Sequence, residues 1–176
     1  MKLVRKLCLA LLCVALCSFS TATEGPSAAA IRLLDHLAGR WVLQGTIAKK
    51  HTTHDVEAKW VLNREYLQLH EVSREKNASG DPAYEAIIYI SWDAKTQQYI
   101  CMWLDSTAGG GLSAEGLAHG KLAGNTILFI FTTSPTDQIH TTFSYDQTRD
   151  SWRWLIDNVE NSRSQHFANV TLTRQK

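Results

Sequence analysis

The chain has 176 residues, 18 Lys and Arg against 17 Asp and Glu, and a formal charge of +1. That length fits one sizeable core rather than two domains. The near-neutral balance argues against a nucleic-acid partner, because phosphate binding is built from clustered Lys and Arg.

Residues 1–22 read as an export leader. Lys2, Arg5 and Lys6 form a basic start, Leu7 to Cys17 is uninterrupted apolar sequence, and Ser20 and Ala22 are small residues at the −3 and −1 positions of a cleavage site. The apolar run is well short of the ~20 residues that a membrane span needs. Cleavage near Ala22 predicts a periplasmic or secreted protein with no stable membrane insertion. Two rival readings are a buried N-terminal helix and lipoprotein anchoring at Cys17, where the large Leu16 stands in place of the usual small residue. Loss of Lys2, Arg5 and Lys6 with the leader turns the formal charge of +1 into −2. Cys8, Cys13 and Cys17 leave too, so Cys101 remains without a disulfide partner in the chain.

Residues 23–38 are a lead-in and a short helix. Ser27 is its expected cap, Ile31, Leu33, Leu34 and Leu37 are its apolar stripe, and Gly39 is its stop. Residues 39–176 then read as about ten strands, near 40–49, 54–63, 65–74, 83–92, 97–105, 111–119, 125–133, 138–145, 151–158 and 164–174, joined by short turns. A meander of this length stacks as a sandwich or closes on itself. Closure removes both edges, and no long crossing connection is present, so the predicted fold is all-β, a single antiparallel up-and-down β-barrel.

Gly39-Arg40-Trp41 at the start of the first strand and Arg174 at the end of the last resemble the signature of the lipocalin and fatty-acid-binding superfamily. That resemblance implies a barrel-end plug of Gly39, Trp41 and Arg174, with a guanidinium stacked on an indole. A wider set of segments is similar to bacterial lipocalin-like (calycin-type) domains of unknown function: Gly39-Arg40-Trp41, Trp60-Val61-Leu62-Asn63-Arg64-Glu65-Tyr66-Leu67, Tyr89-Ile90-Ser91-Trp92-Asp93, Asp105-Ser106-Thr107-Ala108-Gly109 and Trp152-Arg153-Trp154. It implies the fold and no activity.

Strand alternation predicts that Leu172, Val170, Ala168 and His166 share the inward face of Arg174, and that Trp41, Leu43, Gly45 and Ile47 face in on the first strand. His166 would then lie about 26 Å along the strand from Arg174, at the open end. Gln165-His166-Phe167 resembles the Gln-His-Leu stretch of the haem-binding nitrobindin family, which implies His166 as a haem ligand, set against a plain rim histidine. Alternation leaves open which of Ile87 and Tyr89 or Ile88 and Ile90 face in, and likewise for Ile127, Phe129 and Phe131 against Leu128 and Ile130.

Ten strands enclose more room than their own side chains fill, so a ligand cavity is expected. Trp60, Trp103, Tyr89, His140 and His166 are its candidate lining, with His70 and Arg153 as further orienting groups. His51-Thr52-Thr53-His54-Asp55 is read as a solvated turn rather than a metal site. Cys101 is read as a buried small hydrophobe. Asp105-Ser106 lacks the following helix of a nucleophile elbow. Glu57, Glu65, Glu71 and Glu85 form no evident acid–base couple. The expected function is binding of a small hydrophobic or amphipathic molecule, without a cofactor or catalysis. The alternatives are a haem-binding barrel centred on His166 and a filled barrel that docks a protein partner.

Overall fold

The computed structural model describes residues 26–107 and 111–175. The expected leader and its cysteines therefore lie outside the described residues. One helix, α1 (Pro26–Leu37), precedes ten strands: β1 (Gly39–Ile47), β2 (Lys50–Val61), β3 (Tyr66–Ser73), β4 (Glu85–Asp93), β5 (Gln98–Asp105), β6 (Leu117–Ala123), β7 (Thr126–Thr132), β8 (Asp137–Asp146), β9 (Ser151–Glu160) and β10 (Arg163–Arg174). Each strand pairs antiparallel with its neighbours in sequence, and β1 pairs with β10 to close the barrel.

Closure brings Trp41 opposite Arg174. The guanidinium carbon of Arg174 sits 4.0 Å from the centroid of the Trp41 ring. Its nitrogens donate to the carbonyls of Ala38 and His36, both at 2.9 Å, and to Asp150. The Trp41 indole N–H donates to Leu37 O at 2.8 Å. A Cβ on Gly39 would stand 2.3 Å from Arg174 Nη1, so the glycine of the Gly-x-Trp segment is what admits the guanidinium.

The helix lies across the same end. It presents Ala30, Leu33, Leu34 and Leu37 to the interior, with Ile31 only half-buried. Pro26 occupies the first helical position, where its missing N–H costs nothing. Ser27 is thus inside the helix rather than its cap, and its hydroxyl accepts from the Trp92 indole at 3.0 Å. Tyr99 donates to Ala30 O at 3.0 Å, and Trp60 donates to Asp35 at 2.7 Å. These partners come from β2, β4 and β5 as well as β1, so the helix spans the barrel mouth as a lid.

Above the lid the interior is aromatic. Tyr99, Phe129, Phe143 and Trp154 follow one another in edge-on contacts with centroids 6.2, 5.6 and 4.5 Å apart. Edge-to-face geometry sets the positive ring edge against a negative face. Ile88 and Ile90 face in and Ile87 and Tyr89 face out; Ile127, Phe129 and Phe131 face in, with Leu128 and Ile130 outside. Cys101 is fully buried, and burial pushes its thiol well up from the ordinary range. A thiol reagent should leave Cys101 unlabelled in the folded protein and label it on unfolding in urea. Rapid native labelling would show that the strand opens.

Three local expectations fail for identifiable reasons. The first hairpin turns at Ala48-Lys49, both with positive φ (47° and 65°), so β2 begins at Lys50 and residues 51–55 belong to a strand. Left-handed non-glycine residues carry no turn signature. The sixth strand begins at Leu117 instead of 111, after a single 3₁₀ turn at Ala114–Gly116. The third failure is in β10. His166 pairs with Asp157 and Ala168 with Ile156, leaving Phe167 as the extra residue of a bulge. The bulge inverts the parity below it, so His166 faces outward.

Candidate functional site

Arg174, Leu172, Val170 and Ala168 keep the inward face, but His166 does not join them. Its side chain is 80% exposed and pairs with Asp157 on the outer wall. This corrects its assignment as a lumen residue and removes the geometry that a haem ligand at His166 would need. Tyr89 and His140 are also outward. Tyr89 accepts a hydrogen bond from Gln68 at 2.7 Å, and His140 contacts Gln138 at 2.8 Å. His70 pairs with Glu85, and Arg153 with Asn169, on the same outer face. Trp60 has inward parity, yet it sits at the lidded end with Arg64 over its ring at 4.9 Å. Of the five candidate lining residues, Trp103 alone borders the main cavity.

That cavity measures about 1250 Å³ and occupies the half of the barrel away from α1. Its inner wall is apolar, with Leu43, Phe131, Trp154, Ile156 and Val170. Its outer part reaches exposed residues such as Lys50, Glu75 and Thr107. The barrel is therefore not filled by its own side chains.

One wall of the cavity is polar, and its residues were assigned elsewhere from sequence. His54 (3% exposed) and Glu71 (2%) lie on adjacent strands, with Nδ1 and Oε1 2.5 Å apart. Val56 is the direct partner of Glu71, so the two side chains meet across a diagonal of the sheet. Thr52, two residues before His54 on the same face, places its hydroxyl 2.8 Å from His54 Nε2 and donates to Glu75 at 2.9 Å. With the Thr52 proton given to Glu75, the Nε2 contact is satisfied by a ring N–H. The chain from Glu71 to Glu75 is thus complete when His54 carries both ring protons. Burial raises the Glu75 pKa, but hydrogen bonds from its own N–H, from Thr53 N–H and from Thr52 outweigh it and hold the carboxyl below its usual range.

Aromatic rings continue the polar wall. Tyr84 stacks on His54 with centroids 5.6 Å apart, and its hydroxyl accepts from the Trp103 indole at 3.1 Å. Burial, and after it the charge of Glu71, pushes the Tyr84 phenol up, so it stays protonated. The Trp154 indole N–H is buried and has no partner among the described residues. Ser73 and Thr141 add two more buried hydroxyl groups to the lining.

The signal for this wall was present in the sequence. His54 alternates with Val56 and Ala58, and Glu71 with Leu67 and Leu69, all of them buried. Placing residues 51–55 in a turn hid the first alternation. Among the described residues no group of three or more His, Cys, Asp or Glu side chains is positioned to hold a metal ion. No protein-family model matches the chain, and the search of curated proteins finds no match.

Proposed function

We propose that this barrel binds a small amphipathic molecule in its lumen without transforming it. The single observation that carries this reading is the cavity of about 1250 Å³, apolar on one side and lined by His54, Glu71 and Tyr84 on the other. Ligand pockets of this volume combine a mostly apolar wall with a few placed polar groups that fix orientation. The likeness of Gly39, Trp41 and Arg174 to the lipocalin signature supports the same reading, and the leader-like residues 1–22 support its extension to an exported, periplasmic or secreted, protein.

The test is titration with a solvatochromic apolar dye, followed by fluorescence and by native mass spectrometry of protein purified from its own host. Trp103 and Trp154 border the cavity, so binding should also quench tryptophan emission. Ile156→Trp adds an indole where Ile156 meets the void. We expect the dye to bind the natural chain and to lose at least about tenfold in affinity in Ile156→Trp, a change of about 1.4 kcal/mol. Equal affinity in both proteins would place the dye outside the lumen and overturn the reading.

A further inference from the structure

We propose that the lumen prefers an organic cation, an alkyl- or arylamine whose ammonium rests on Glu71. The inference builds on the reading of the cavity as a binding site and assigns its ligand class.

The ionisable groups bordering the cavity are unevenly signed. Glu71, Glu75, Asp105 and Glu115 face Lys50, His51 and His54. Four carboxylates outnumber the cations even with both histidines protonated. Lys50, His51, Glu75 and Glu115 are exposed at the rim, whereas Glu71 is buried with His54 at the polar wall. A head group that reaches the inner cavity leaves the rim charges behind and meets the Glu71–His54 pair.

The dyad itself has a preferred polarity. His54 spends Nδ1 on Glu71 and Nε2 on Thr52. Glu71 spends Oε1 on His54, which leaves its second oxygen for a further donor. The dyad therefore offers a ligand an acceptor and no ring donor. A buried carboxylate gains most from a charged donor, because charge-assisted hydrogen bonds are roughly twice as strong as neutral ones. The surroundings suit the rest of such a molecule. Tyr84, Trp103, Phe131 and Trp154 form a connected aromatic wall, with Trp103 6.3 Å from Phe131 and 6.4 Å from Trp154 between ring centroids. Aromatic faces attract ammonium groups, and the attraction grows when water is excluded.

The experiment compares three ligands that share one apolar body: naphthylmethylamine, naphthylmethanol and naphthoate. Their affinities for the full mature chain are measured by calorimetry at neutral pH. The amine should bind about tenfold tighter than the alcohol, with the carboxylate weakest. In Glu71→Gln the amine should lose its advantage, so that the amine and the alcohol come within about twofold of each other. An alcohol or carboxylate that equals or exceeds the amine overturns the cation preference while leaving the cavity reading intact. Binding of the apolar dye with none of the three naphthyl ligands does the same. Failure of the dye and of all three ligands overturns both readings. Circular dichroism reports whether Glu71→Gln folds, and if it does not, the ranking in the natural chain still decides.

Discussion

Trp41→Ala should destabilise the protein by roughly 3–5 kcal/mol, the range for removing a fully buried large aromatic side chain. Domains of this size are stable by only about 5–15 kcal/mol in all, so the variant should unfold at a much lower urea concentration. The indole fills the barrel end beneath α1, and no neighbour is free to collapse into its place: the helix is tied to the strands by Tyr99, Trp92 and Trp60. Arg174→Met keeps most of the stem over the ring but removes donors from two carbonyls and a carboxylate, which should cost about 2 kcal/mol. Because the two side chains touch, the double variant should cost less than the sum. A shift below about 1 kcal/mol for Trp41→Ala would mean that the end reorganises freely.

The plug also carries an acid sensitivity. The Arg174 guanidinium holds the Asp150 carboxyl below its usual value of 3.8. A depressed folded-state pKa contributes stability that is present above the unfolded value and lost as pH falls through the folded one. Asp150→Asn should therefore flatten the loss of stability below about pH 4, measured by urea unfolding at a series of pH values.

The second large effect belongs to the polar wall. His54→Leu should cost roughly 3 kcal/mol, because it leaves Glu71 buried without its counter-charge. The double variant His54→Leu with Glu71→Leu should recover most or all of the loss, because apolar groups of similar volume often replace a buried pair without cost. Urea midpoints for the four proteins form the necessary cycle. A double variant less stable than either single one would show that the dyad stabilises the fold outright. Recovery of stability together with loss of ligand preference would mark the pair as a recognition device.

Strand count, closure, the lid helix and the plug were legible in the sequence because each rests on a repeated or terminal signal. Leu33, Leu34 and Leu37 sit at helical spacing, and Arg174 ends an alternating strand and stands across from Trp41. What escaped was governed by single residues with no compositional trace. Ala48 and Lys49 turn a hairpin without glycine or asparagine, so the strand start is unmarked and residues 51–55 read as a turn. One extra residue, Phe167, rotated His166 from the lumen to the outer wall. Contact between His54 and Glu71, seventeen positions apart, depends on a cross-strand diagonal that exists only once the register is known. Tyr89 and His140 were chosen for residue type alone, and type carries no information about face.

The lid has a practical consequence for handling the molecule. Helix α1 enters the barrel at the plugged end, and Gln175 leaves it there, its N–H bonded to Arg40 O. A surface tether or fluorescent tag fused after the last residue would therefore hang from the base of the cup. Immobilised that way, every copy would hold its rim toward the solution, where a flowing analyte arrives unhindered.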